Sequence, residues 1–104
     1  MLKWFAVAYE TSIKQKLIIQ INGIYIVLIK INGNIFAIED NCPHQNMPIN
    51  KGNILHDNII CPFHNASFCI KSGLINNTLS IDNLNIFKVR IKNNKIKIKI
   101  DFTC

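Results

Sequence analysis

Two short runs constrain this chain more than anything else in it: Cys42-Pro43-His44 and Cys61-Pro62-Phe63-His64. Each carries one thiolate donor and one imidazole donor, and residues 45 to 60 separate them. The whole chain has four Cys and three His, so scarce donors are paired twice. That pattern predicts a metal centre with Cys42, His44, Cys61 and His64 as ligands. A fold that uses them must present two loops to one another, with the intervening chain carrying one to the other. Pro43 and Pro62 stiffen both loops by fixing φ.

The remainder reads as short strands broken by turns. Trp4 to Tyr9 is a first strand. Leu17 to Ile21, Tyr25 to Lys30 and Ile35 to Glu39 follow, parted by Asn22-Gly23 and Asn32-Gly33-Asn34. Asn-Gly between apolar, β-branched runs is a strong hairpin signal, so the three segments predict a meander. The first Cys/His run begins where its third strand ends. Ile54-Leu55 and Ile59-Ile60 flank His56-Asp57-Asn58 and predict a second hairpin leading to the other run. Ser67 to Ile70 is a short strand, Ser72-Gly73 a turn, and residues 74 to 85 a weakly patterned loop. Near the end, Lys88, Arg90 and Lys92 alternate with Val89 and Ile91. After Asn93-Asn94, Lys95, Lys97 and Lys99 alternate with Ile96, Ile98 and Ile100. Period-two alternation on both sides of a turn predicts an antiparallel hairpin with one apolar face and one cationic face.

At 104 residues the chain has room for one core, so the expectation is a single all-β domain over residues 1–104. The longest apolar run, Ile24 to Ile29, is far short of the ~20 residues that span a bilayer. The apolar stretch after Lys3 is too short for a signal peptide. No membrane partner is expected, and the protein is read as cytoplasmic. Cys69 is expected as a buried strand thiol and Cys104 as a terminal one, which suits a reducing compartment. His56 has no Cys neighbour and is expected as a solvated turn residue. The formal net charge is +6. No nucleic-acid recognition motif accompanies it, so nucleic acid is not an expected partner. The skew toward Ile, Asn and Lys is that of AT-rich codons, which alone can produce a cationic strand face. The other reading of that face is a surface that steers an acidic partner.

Read from residues alone, a structural zinc site that stabilises an interaction module stays open as an alternative. Zinc loops usually space paired ligands two to four residues apart, and Cys42-Pro43-His44 has a one-residue gap. The full runs Cys42 to Pro48 and Cys61 to Phe68 resemble the Rieske family, in which His₂ replaces Cys₂ on one iron of a [2Fe–2S] cluster. They look most like the soluble Rieske-type ferredoxins that feed ring-hydroxylating oxygenases. The Trp-Phe-Ala-Val-Ala start, Ile38 before the first loop and the final hairpin extend the likeness weakly over most of the chain. The resemblance implies an all-β Rieske-type fold: an antiparallel β base with a smaller cluster-binding subdomain, its loops at about 40–50 and 60–70. It implies one cluster per chain, with Cys42 and Cys61 on one iron and His44 and His64 on the other. It further implies a one-electron carrier, not itself an enzyme. A flavoprotein reductase would supply the electron, and a terminal oxygenase or other redox enzyme would receive it. The runner-up is a small Rieske-like subunit of a reductase complex, similar to that of assimilatory nitrite reductases. Many of those lack the cluster ligands, and all four are present here.

Several positions depart from the family pattern. Asn46 and Asn65 stand where Gly is usual, and Asn is the non-Gly residue most tolerant of positive φ. Residues 70 to 85 lack the Pro that members show after the second run. Members from respiratory bc complexes carry an extra Cys in each loop, joined as a disulfide; those places hold Met47 and Phe63. High-potential members have hydroxyl donors where this chain has Ala66 and Phe68. That implies a potential near the low end of the roughly −150 to +300 mV Rieske range.

Overall fold

Three tight turns set the frame of the molecule. Asn22 and Gly23 have φ of 48° and 84°, Asn32 and Gly33 50° and 81°, and Asn93 and Asn94 53° and 65°. Positive φ at both central residues is what a type I′ turn requires, and its twist matches that of antiparallel strands. Each turn closes a two-residue loop, between Ile21 and Ile24, Ile31 and Asn34, and Lys92 and Lys95. The second turn is one residue shorter than its sequence suggested, because Asn34 already belongs to a strand.

The computed structural model describes residues 2–42, 47–62, 66–74 and 84–101. Its strands are β1 (Leu2–Tyr9), β2 (Lys16–Ile21), β3 (Ile24–Ile31), β4 (Asn34–Glu39), β5 (Asn53–Leu55), β6 (Asn58–Ile60), β7 (Ser67–Cys69), β8 (Ile86–Lys92) and β9 (Lys95–Asp101). A 3₁₀ turn at Glu10–Ser12 follows β1. The strands form a six-stranded sheet in the order β1-β9-β8-β4-β3-β2 and a three-stranded sheet in the order β5-β6-β7. All pairs are antiparallel. The expected base and smaller subdomain are therefore both present. The place of the C-terminal hairpin is set by long-range pairing: β9 lies beside β1, with a bulge between Ala6 and Ala8, and β8 beside β4.

β3 and β4 serve two cores, one on each face. Ile26, Leu28, Ile35 and Ala37 pack with Ile96, Ile98 and Ile100 of β9, and with Phe5, Val7 and Val89 at the margins. Val27, Ile29 and Ile38 face the other way, onto Ile49, Ile59, Phe68 and Ile70. This explains why Ile26 to Ile29 is an unbroken apolar run with every residue fully buried. A strand covered on both faces has no polar side to alternate with. Burying each such side chain stabilises the fold by about 1.5–3 kcal/mol. The layers run from the β1-β9-β8 half of the curled sheet, through the first core, to β4-β3-β2, then through the second core to β5-β6-β7.

Three expectations need correction or limits. The apolar side of β8 is incompletely covered: Ile91 is exposed and Val89 half-buried, because β9 supplies the side chains that fill that core. Cys69 is half-buried rather than buried, since it ends a strand at the rim of the small sheet. Of the loop at 74 to 85, residues 75–83 lie outside the described residues.

Candidate metal centre

The first Cys/His loop leaves the end of β4, and Asp40 anchors it. The Asp40 N–H donates to the Tyr25 carbonyl at 2.8 Å, which holds the loop start against β3. Its carboxylate takes the loop end: Oδ1 accepts the Ile49 N–H at 2.9 Å and the Asn50 N–H at 2.8 Å. Oδ2 accepts the Asn50 Nδ2 at 2.7 Å. Between these anchors the Cys42 N–H donates to the Met47 carbonyl at 2.7 Å and closes the neck of the loop. The second loop repeats the device. The Cys61 N–H donates to the Ala66 carbonyl at 2.8 Å, again five residues on. This loop joins β6 to β7, which pair side by side with Ile60 opposite Ser67.

The two loops are locked together at Gly52. Its N–H donates to the Ile49 carbonyl at 2.9 Å, just past the first loop. A Cβ on Gly52 would lie 2.2 Å from the carbonyl oxygen of Ile60, the residue before Cys61. Only glycine lets the chain between the loops pass this close. Asp40 and Gly52 are functional positions that the sequence reading missed. The signals were there: an Asp-Asn pair leaving a strand, and a Gly inside the turn-forming stretch Asn50 to Asn53.

Cys42 and Cys61 are both fully buried and belong to one core with Ile49, Ile59, Ala66, Phe68 and Leu84. The structure thus brings together two of the four predicted donors. His44 and His64, with the neighbouring residues Pro43, Gln45, Asn46, Phe63 and Asn65, lie outside the described residues. In sequence each His falls between the two ends of a closed neck, 42 to 47 and 61 to 66. The donor chemistry fits an iron–sulfur centre: two thiols shielded from water in one apolar core, each followed in sequence by an imidazole. A buried thiolate pair is tolerable only beside compensating positive charge, which bound iron supplies.

His56 has no such setting. It is exposed at a φ of 57° in the turn between Leu55 and Asn58, as expected of a solvated turn residue. The Cys69 thiol is held below the usual thiol range, chiefly by a hydrogen bond from the Ser72 hydroxyl and then by the Ser72 and Lys71 backbone. The stretch after it is tied down: the Gly73 N–H donates to the Cys69 carbonyl and the Leu84 N–H to the Gly73 carbonyl, both at 2.7 Å.

The sequence matches the Rieske [2Fe-2S] domain over residues 3–88. The chain belongs to this family. Membership makes a [2Fe–2S] cluster its cofactor. Among curated relatives, the 3-phenylpropionate/cinnamic acid dioxygenase ferredoxin subunit of Photorhabdus laumondii is 36% identical over 77 residues, 72% of either chain. Apoptosis-inducing factor 3 of Mus musculus is 34% identical over 74 residues, which are 71% of this chain. The chain spans only 12% of the length of that relative. The ferredoxin of carbazole 1,9a-dioxygenase from Nocardioides aromaticivorans IC177 superposes with a TM-score of 0.82 at 17% identity, covering 91% of this chain and 95% of its own. It shares the fold. Among the described residues no helix is long and apolar enough to cross a membrane.

Proposed function

We propose that this chain is a cytoplasmic one-electron carrier, a single domain over residues 1–104 whose loops at about 40–50 and 60–70 hold the cluster. Cys42 and Cys61 would hold one iron, and His44 and His64 the other. The observation that carries this reading is the pair of equivalent loops. Each is pinned at its neck by a Cys N–H bonded to the carbonyl five residues on, and both cysteines sit in one buried core.

When bound, the cluster supplies a one-electron couple. The chain supplies position and environment. The two necks fix the backbones of Cys42 and Cys61 at the loop bases. Asp40, at the start of the first loop, holds the loop's end through three accepted hydrogen bonds and is itself tied to Tyr25 by the one its N–H donates. Ile49, Ile59 and Phe68 exclude water from the thiolates and lower the local dielectric. The buried side chains of Ala66 and Phe68 offer no hydroxyl that would stabilise a more negative, reduced centre.

The donor would be a flavoprotein reductase and the acceptor a terminal oxygenase or other redox enzyme, in keeping with the dioxygenase ferredoxin relatives. The chain itself would do no bond chemistry. Protein purified without oxygen should contain about two irons and two acid-labile sulfides per chain. One zinc with no sulfide would overturn the reading. Reduced protein should be reoxidised by a ring-hydroxylating oxygenase, and unaided turnover of an aromatic substrate would overturn the carrier role. The match to a small part of a much longer relative supports a second reading, a small Rieske subunit in a reductase complex. Tight co-purification with a larger catalytic subunit would favour it.

A further inference from the structure

The outer face of β8 and β9 carries six cations in a grid. Antiparallel register sets Lys88 opposite Lys99, Arg90 opposite Lys97 and Lys92 opposite Lys95. Neighbours across the strands are about 5 Å apart and successive cations along each strand about 7 Å. Like charges directly opposite each other destabilise a sheet, so this face works against its own fold. Among the described residues no carboxylate pairs with any of the six; the ion pair that is present, Lys71 with Asp57, lies in the small subdomain. Aromatic rings flank the grid on β1. Trp4 lies opposite Lys99 with the Arg90 guanidinium stacked 4.3 Å from its centroid, and Tyr9 lies opposite Lys95 and is exposed.

This face looks away from the metal loops. The apolar sides of the same strands fill the first core, β4-β3-β2 covers that core, and the cysteines lie in the second core beyond. Two packed layers at about 10 Å each therefore separate the grid from the centre.

We propose that this grid is a docking surface for an acidic face of a partner protein, on the far side of the molecule from Cys42 and Cys61. The proposal rests on the carrier function above only for the supposition that the partner is a redox protein. A protein is favoured over the other polyanions. Five of the six cations are Lys and act as point charges on carboxylates, and Trp, Tyr and Arg are the residue types that anchor protein interfaces. Arg90 stacks on one face of Trp4 and the Lys99 ammonium lies 5.8 Å from the same ring, so a base would have to compete with these cations to stack there. Between the rings the grid has only Ala6 beside its cations, and no apolar wedge to enter a lipid surface.

The test compares two double charge reversals in the cluster-loaded protein, Lys88→Glu/Lys95→Glu on the grid and Lys14→Glu/Lys51→Glu elsewhere. Both lower the net charge equally. The first turns two repulsive cross-strand pairs into attractive ones, so its Tm should hold or rise. The probe is a poly-glutamate peptide, with a poly-thymidine oligonucleotide and phosphatidylserine vesicles for comparison. Poly-glutamate binding should weaken about tenfold in the grid variant and about twofold in the other. Carbodiimide cross-links should map to Lys88 to Lys99. Equal loss in both variants would overturn the proposal in favour of net charge alone. Tighter binding of the oligonucleotide or vesicles at the grid would overturn the assignment to a protein partner. Iron and sulfide analysis of the same samples reads the carrier function separately, so either idea can fail without the other.

Discussion

The six-stranded sheet and the three-stranded sheet are built on different terms. The large sheet has strands of six to eight residues, turns that any hairpin of its kind would use, and a core of Ile and Leu closed from both sides. The small sheet has strands of three residues. A two-residue hairpin and a three-stranded sheet this short bury too little to stand alone in water. It is completed by specific bonds: the Asp40 carboxylate, the two Cys necks and the close pass at Gly52. Its core also holds the two thiols. The large sheet is thus specified by pattern, and the small one by individual residues.

Removing the metal should separate the two regions most sharply. Cys61→Ser removes one of the two proposed thiolate ligands, so iron and visible absorbance should be lost entirely. In that variant amide exchange should accelerate over Asn58–Ile60 and Ser67–Cys69 and stay slow over Ile24–Ile31 and Lys95–Asp101. Cooperative loss of protection in both regions would show that the division is wrong.

Two substitutions of more moderate effect act on opposite sides of the division. Ile98→Ala empties a fully buried site in the large core and should cost about 2–5 kcal/mol of global stability with the cluster spectrum unchanged. Asp40→Ala strips three accepted hydrogen bonds from the first loop, at about 1.5–3 kcal/mol for each bond to a charged group before water compensates. It should speed iron loss to chelator while denaturant unfolding of the large sheet moves less. The reverse pairing, with Ile98→Ala shedding iron first, would break the comparison.

The same division decided what was legible in the sequence. The turns at Asn22-Gly23 and Asn93-Asn94 and the alternation from Lys88 to Ile100 are local signals, and each strand they imply is present. The family was legible in the two Cys/His runs because Cys and His are rare and paired twice, and the Rieske domain match over residues 3–88 agrees with that reading. The order β1-β9-β8-β4 was not, because pairing between the first and last strands is long-range and leaves no local trace. Asp40 was missed because an Asp at a strand end usually caps its own turn; here it reaches residues nine and ten positions on. Gly52 was missed because its constraint is a carbonyl eight residues away in sequence, at Ile60.

A finer test concerns the tuning of the pocket without changing its ligands. Ala66 is buried beside Cys61, whose N–H its own carbonyl accepts. Ala66→Ser places a hydroxyl donor in that setting. A donor to the cluster sulfurs favours the reduced state, so the potential should rise by tens of millivolts, at about 43 mV per kcal/mol for one electron. Wild-type protein should fall near the low end of the roughly −150 to +300 mV Rieske range by film voltammetry. A wild-type value above about +100 mV would contradict the ferredoxin-like reading.

The smallest effect contrasts the thiols inside the small subdomain itself. Cys42 and Cys61 are sealed in its core, while Cys69 is half-buried at its rim with its thiol held below the usual range, first by the Ser72 hydroxyl. A thiolate reacts and a thiol does not, so Cys69 should take up iodoacetamide at a pH where an ordinary thiol, titrating near about 8.5, is still slow. Ser72→Ala removes the leading cause and should move the midpoint of that profile upward. The sign for stability follows. The folded state releases this proton more readily than the unfolded chain. The thiolate's contribution is therefore full above the unfolded value and is lost as pH falls through the folded one. Peptide mapping by mass spectrometry distinguishes Cys69 from the other thiols. Labelling of Cys42 or Cys61 ahead of Cys69 in the loaded protein would mean that the pocket is open, and with it the contrast between a sealed centre and an exposed rim would fall.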